Sequence, residues 1–230
     1  MFVRAGFMVK EMIAIDQDLD KNLHKYTTRR QYIAAVGGDG TVSAVAGIVA
    51  HTRAVLVPLP GGTLNNFTKD LGVAQELEAA IKQAFKAAPR LIDIASVNDV
   101  PFINNSSIGF YPQSLQTRKR LEDRLGKWPA AAYGMCRAIV HHKIYHVTID
   151  RNEVDTPFIF VGNNDYRIEK PDLNGRQHLD AGILSVYVVM SSRRSALIRI
   201  FFMAMIGRLD NASELTCYKT TKIEIASKKH

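Results

Sequence analysis

Two glycine-rich turns, each leaving an apolar run of strand length, constrain this chain more than any other feature. The stretch from Ala35 to Phe67 reads AVGGDGTVSAVAGIVAHTRAVLVPLPGGTLNNF. Tyr32 to Val36 is a short apolar run that stops at Gly37-Gly38-Asp39-Gly40-Thr41, and Val42 to Ala50 has the small, apolar composition of a buried helix. Ala54 to Val57 is a second β-branched run, which Pro58 to Thr63 breaks before Leu64 to Leu71. Strand, glycine turn and helix, twice over, predict an α/β arrangement with both turns at strand C-terminal ends, where open sheets bind ligands.

Neither turn has the GxxxxGK[ST] or GxGxxG spacing of the common nucleotide signatures. The physical logic is shared with them. Consecutive glycines let backbone amides approach phosphate oxygens, and a following helix N-terminus adds partial positive charge. Gly37, Gly38, Gly40, Gly61 and Gly62 are therefore candidate phosphate contacts, with hydroxyls from Thr41 and Thr63 and amides from Asn65 and Asn66. Asp39 among those amides is repelled by a polyphosphate unless a divalent cation lies between, which points to Mg²⁺. Two tight turns that only pack strands against helices are the structural alternative.

Before this stretch, Met8 to Ile15 is read as a strand and Asp18 to Tyr26 as a helix capped at Asp16 or Asp18. After it, Ala74 to Ala87 has helical spacing, and Arg90 to Ala95 reads as a strand with Asp93 in its middle, an acidic residue that needs an explanation there. From Val97 the texture changes to short strands and turns. Val100 to Phe110 reads as a strand entering a polar turn, Leu115 to Leu125 as a charged helix or loop, and Trp128 to His141 as a helix. Tyr145 to Ile149, Phe158 to Val161, Leu184 to Val189 and Lys222 to Ala226 read as strands, Asp172 to Gly175 as a turn, and Ser195 to Ile206 as a helix. The division expected is an α/β nucleotide-binding domain over 1–95 and a β-rich domain over 96–230.

Composition narrows the partners. The net charge of +8 is spread out, with short clusters only at Arg118 to Arg120, Arg193-Arg194 and Lys228-Lys229. That is a general attraction to anions and no nucleic-acid footprint. Cys136 and Cys217 are isolated, which suggests neither a disulfide scaffold nor a zinc site and fits a reducing, cytoplasmic setting. Adjacent His141 and His142 do not share a helix face, and Ser106-Ser107 lack the GxSxG elbow of a serine nucleophile. The apolar run Ile198 to Ile206, broken by Arg199, is too short to span a membrane. With Arg193, Arg194 and Arg208 around it, it suits either packing on its own sheet or resting on an anionic bilayer surface.

Gly37-Gly-Asp-Gly-Thr41 followed by Pro60-Gly-Gly-Thr-Leu-Asn-Asn-Phe67 resembles the paired signature of the diacylglycerol kinase catalytic domain family, which includes bacterial lipid kinases and sphingosine kinases and is related to NAD kinases. The likeness continues in Leu91 to Ile94, Phe102 to Gly109 and Leu179 to Leu184. It implies an N-terminal α/β domain similar to that of NAD kinases and phosphofructokinases, a C-terminal β-sandwich, and ATP between them. It further implies that the first motif holds ATP phosphates with Asp39 at the reacting centre, that Thr63 and Asn65 complete the nucleotide site, and that Asp93 is associated with magnesium. Members usually carry an upstream Asn-Pro strand with a Ser-Gly turn and a downstream Asp-Gly-Glu segment; neither is found here, so the expectation is either a shortened or fragmentary member or one whose ends are replaced by other sequence.

The expected activity is ATP- and Mg²⁺-dependent phosphorylation of a lipid hydroxyl such as that of diacylglycerol, in phospholipid biosynthesis. The expected partners are a nucleotide, a lipid and peripherally an anionic membrane surface. Asp39 is the leading general base, with Asp93 and Asp180 as alternatives. An inactive nucleotide- or lipid-binding module is the rival from another class, and NAD phosphorylation the rival among enzymes.

Overall fold

The computed structural model describes residues 1–15, 18–109, 143–166, 176, 178–205, 208–209 and 212–227. Asp16, the segments Leu115 to Leu125 and Trp128 to His141, the turn Asp172 to Gly175, Cys136, His141, His142 and the basic clusters at 118–120 and 228–229 lie outside the described residues. The chain forms two compact units, one of Met1–Asn104 with Asn174–Ala181, the other of Asn105–Leu173 with Gly182–His230.

The first unit is α/β. Helix α1 (Leu19–His24) precedes strand β1 (Tyr32–Gly37), helix α2 (Asp39–Val49), strand β2 (Val55–Pro60) and the short helix α3 (Asn66–Asp70). Helix α4 (Leu77–Lys86) and the hairpin of β3 (Ala95–Val97) and β4 (Val100–Phe102) follow. β1 and β2 pair in parallel, Tyr32 opposite Val55 through Gly37 opposite Pro60. Ile33 and Ala35 of β1 pack with Leu19 and Leu23 of α1 and Val42, Val45, Ala46 and Val49 of α2. On β2, Leu59 packs with Ala80 and Ile81 of α4. β1 is buried on one face only, Ile33 and Ala35 inward and Tyr32, Ala34 and Val36 exposed, although its sequence is a continuous apolar run.

Three expectations for this unit are corrected. β2 does not stop at Val57 but runs through Pro58 and Pro60. The Val55 amide bonds to Gln31 O and the Gly61 amide to Gly37 O, so odd-numbered amides face β1, and the amides that Pro58 and Pro60 lack fall on the other side. Met8 to Ile15 forms no strand; Met8 and Met12 stand 89% and 90% exposed, and an apolar run with no strand paired to it gains little by extending. Residues 90–94 are not in a ladder either, since β3 begins only at Ala95. The Asp93 amide instead donates to Leu179 O at 2.7 Å, in an irregular segment.

Helix α4 is capped by a residue type that sequence rules rank low for the task. Glu76 accepts from the amides of Glu78 (3.0 Å) and Ala79 (2.7 Å), and these two bonds hold its carboxyl below the usual glutamate value. Because the folded value is depressed, the stabilisation is present at neutral pH and is lost as the pH falls through that lowered value. Glu76→Ala should therefore lower the melting temperature at about pH 7 and change it little at about pH 3, read by thermal denaturation at both.

The second unit is antiparallel. Its four-stranded sheet has the order β10-β9-β8-β5, from β5 (Asn105–Gly109), β8 (Phe158–Asn163), β9 (Leu184–Val189) and β10 (Leu215–Thr220). The three-stranded sheet has the order β11-β6-β7, from β6 (Tyr145–Ile149), β7 (Asn152–Thr156) and β11 (Ile225–Ser227). Val147 and Ile149 of one sheet share a buried cluster with Ile159, Val161, Val186 and Val188 of the other, the sandwich-like core that was expected. Helix α5 (Arg194–Met205) occupies the place expected of it; Ile198 and Phe202 on it are 44% and 60% exposed. Among the described residues no helix is long and apolar enough to cross a membrane.

Strand β7 was not legible, because its sequence NEVDT is polar and the turn before it lacks glycine. Asp150 and Arg151 take φ of 45° and 77°, and Asn98 and Asp99 between β3 and β4 take 46° and 64°. Both are two-residue hairpin turns with positive φ at each central residue, the geometry usually signalled by Asn-Gly or Asp-Gly.

Candidate functional site

The two glycine turns meet because their strands are neighbours. The register sets Gly37 opposite Pro60, and the Gly61 amide donates to Gly37 O at 3.0 Å, continuing the ladder into the turns. Backbone then packs on backbone. A Cβ built on Gly61 would lie 2.9 Å from Gly37 N, and one on Gly62 would lie 2.4 Å from Gly38 Cα. A Cβ on Gly37 would strike the side chain of Thr41 at 2.5 Å. These glycines are required by the protein's own packing.

Gly40 differs from them. Nothing lies within 4 Å of a Cβ built there, although it is in the first turn of α2, where the leading amides have no intrahelical acceptor and N-cap Gly38 has no side chain to satisfy them.

Asp39, the first residue of α2, points back at the second motif. Its Oδ2 accepts from the Asn66 amide at 3.0 Å, and its Oδ1 accepts from the Phe67 amide at 2.9 Å and from Asn104 Nδ2 at 3.0 Å. The carboxylate thus caps α3 and ties the first turn to the helix that follows the second. Asn65 closes the second turn on itself. At φ 53° and ψ 42°, a left-handed conformation that asparagine tolerates, it accepts from the Gly62 amide at 2.8 Å and donates to Gly62 O at 3.0 Å. Both ends of its amide are engaged within the turn, whereas the sequence reading aimed it at the nucleotide. Thr41 is half-buried against Gly37, and Thr63 is exposed.

Sequence reasoning missed Arg176, which is 4% exposed. Its Nε and Nη2 hold Asp70 Oδ2 at 2.8 and 2.7 Å, Nη1 donates to Ile103 O at 2.5 Å, and Nη2 donates to Asn104 Oδ1 at 2.7 Å. Its guanidinium also lies over the ring of Phe67, 5.8 Å from the centroid. An arginine in a polar stretch has no local signature of burial.

Asp93 is half-buried on the segment bonded to Leu179, and Asp180 next to Leu179 is exposed. Among the described residues no three His, Cys, Asp or Glu side chains gather as a metal cluster. Ser106 and Ser107 lie within β5, opposite Val161 and Phe160, in ordinary strand pairing.

Known proteins place this arrangement in a family. Residues 8–97 match the model of the diacylglycerol kinase catalytic domain. A Staphylococcus carnosus protein with a provisional lipid-kinase name is 30% identical over 182 residues, which is 73% of this chain and 56% of that protein. A Cronobacter sakazakii "Probable lipid kinase YegS-like" is 37% identical over 113 residues, 46% of this chain and 38% of the relative. The alignments thus span 56% and 38% of these relatives' lengths. A crystal structure from Bacillus anthracis, provisionally titled a diacylglycerol kinase, superposes at a TM-score of 0.72 with 25% identity, covering 94% of this chain and 74% of that one. Both glycine motifs fall inside the matched stretch, and residues 8–97 belong to the diacylglycerol kinase catalytic domain family.

Proposed function

We propose that this chain is an ATP- and Mg²⁺-dependent lipid kinase that transfers the γ-phosphoryl group to a lipid hydroxyl such as that of diacylglycerol. The observation that carries this reading is the open space at Gly40. Glycine in a helix costs about 0.5–1 kcal/mol relative to alanine, and the crowding that explains Gly37, Gly61 and Gly62 is absent at Gly40. A phosphate lying against the α2 N-terminus supplies the missing reason.

Phosphoryl transfer needs in-line positioning and charge stabilisation more than covalent help. In this reading the amides of Gly38, Gly40 and Thr41 and, in the second turn, that of Thr63 donate to the phosphates, with the Thr41 and Thr63 hydroxyls beside them; the Gly61 and Gly62 amides are already spent on Gly37 O and Asn65 Oδ1 and hold the turns together. Mg²⁺ would be held by Asp93 together with the phosphates and would offset charge on the transferring group. Three donors already occupy Asp39; a carboxylate has about four lone-pair directions, and the one remaining is assigned to the reacting centre. The acceptor oxygen forms the new P–O bond as ADP leaves, and its proton passes to Asp39. The membrane is the source of the acceptor, and the exposed Ile198 and Phe202 beside Arg193 and Arg194 suit contact with an anionic surface.

The test measures Mg·ATP affinity by calorimetry and phosphate transfer to diacylglycerol in mixed micelles. The unmodified chain should do both, Gly40→Ala should melt no lower yet bind about tenfold more weakly or worse, and Asp39→Asn should lose transfer. Equal affinity in Gly40→Ala would remove the phosphate site from α2, and binding without transfer in the unmodified chain would leave a binding module.

A further inference from the structure

The hydrogen bonds around α3 close into a ring. Asp39 takes the amides at the N-terminal end of α3, Asn104 Nδ2 donates to Asp39, Asn104 Oδ1 accepts from Arg176, and Arg176 holds Asp70 at the C-terminal end of the same helix. We propose that Arg176 is a positioning residue for the nucleotide site, acting through Asn104 on Asp39 and through Asp70 on α3, and so setting the separation and tilt of the two glycine turns. This inference rests on the phosphate site proposed above.

The polarity of the ring argues for that direction of control. A guanidinium is donor-only, so the Asn104 atom facing Arg176 must be the amide oxygen. The NH₂ group is thereby turned on Asp39, a carboxylate that can only accept there. Without Arg176, the amide is free to rotate and present its oxygen to Asp39, acceptor against acceptor. Asp39 would then lose a donor and the anchor that keeps both its oxygens on the Asn66 and Phe67 amides.

Arg176 is set apart from a purely stabilising arginine by what it holds. Its side chain binds the helix that follows the second turn, by Asp70, and the residue that bonds the first, by Asn104. It reaches them from a segment about 70 residues downstream of Asn104. Burial keeps water from substituting for the Arg176–Asp70 link, since these side chains are 0% and 5% exposed.

The experiment uses the whole chain with two variants and two readouts. Asn104→Asp keeps the shape but replaces the donor facing Asp39 with an acceptor, and Arg176→Lys keeps the charge but cannot serve Asp70, Ile103 and Asn104 together. Mg·ATP affinity is expected to fall on the order of tenfold in each. In parallel, the Asn66 and Phe67 amides are expected to shift in NMR spectra and to exchange on the order of tenfold faster, while Ala80 and Ile81 in α4 keep their protection. Unchanged affinity together with unchanged Asn66 and Phe67 signals in folded Arg176→Lys would overturn the proposal. Faster exchange spread evenly over the unit would also overturn it, by reducing Arg176 to a general stabiliser. Should the unmodified chain bind no Mg·ATP, the phosphate-site reading fails by itself, and the amide signals still decide whether Arg176 controls the turns.

Discussion

Replacing Asp70 with alanine is expected to destabilise the first unit by about 3–5 kcal/mol, the range measured when one partner of a buried ion pair is removed. The reason lies in what remains. Arg176 is 4% exposed, its guanidinium is covered on one side by Phe67, and Asp70 is the carboxylate that its Nε and Nη2 hold. With Asp70→Ala the Ile103 carbonyl and the Asn104 amide still accept, but they carry no net charge, and a buried cation held by dipoles alone is costly. Urea denaturation of the unmodified and Asp70→Ala chains would read the difference, and a loss under about 1 kcal/mol would mean that water reaches the guanidinium. A second variant separates charge from packing. Asp70→Leu with Arg176→Met removes both charges, and it should recover much of the stability lost in Asp70→Ala, because apolar replacement of a whole buried pair is often neutral. It should not recover nucleotide binding, since the donor that orients Asn104 is gone.

How much of this was legible in the sequence depends on whether the responsible contacts are local. Strand β1, helix α2 and the turn between them are written in the order apolar run, glycines, small apolar run, because the inward face of the strand and the helix packed on it draw on adjacent residues. The two glycine motifs were legible for the same reason. What they do was legible only in part. Asn65 looks like a ligand group in sequence, yet it bonds Gly62, because an asparagine in the left-handed region can return its side chain to the backbone three residues earlier. Asp39 looks solitary, yet its partners are 27, 28 and 65 residues away. The Arg176 links to Asp70 and Asn104 span 106 and 72 residues, and no periodicity encodes such a separation. Pro58 and Pro60 misled for a further reason: a proline ends a strand that is paired on both sides but not one whose missing amides fall on the other side from its partner. The sandwich strands lost to view were those with polar faces and glycine-free turns, β7 above all.

Gly62→Ala should do the opposite of Gly40→Ala, losing both fold stability and nucleotide binding. The added methyl would lie 2.4 Å from Gly38 Cα and 3.0 Å from both Gly38 N and Asn65 Oδ1. Two of these atoms are backbone, so no side-chain rotation relieves the contact; the turns must move apart. Ordinary carbon contacts are about 3.5–4.0 Å, so the required shift is about an ångström or more, and it pulls directly on bonds within and between the turns. The Gly61 amide to Gly37 O bond is 3.0 Å and the Asn65 to Gly62 pair 2.8 and 3.0 Å, and neither bears an added ångström. Overpacking of this kind costs about 1–3 kcal/mol, occasionally more. Loss of the register between the turns, and so of the amide directions facing the phosphates, should lower Mg·ATP affinity well beyond what the stability loss implies, since an ångström of misplacement can cost on the order of a hundredfold. Melting curves and calorimetry on Gly62→Ala and Gly40→Ala, run together, make the comparison. If Gly62→Ala melts and binds like the unmodified chain, the turns do not meet as described. If both variants lose binding while only Gly62→Ala loses stability, the packing of the turns and the space above Gly40 have separate causes, the first in the protein and the second in its ligand.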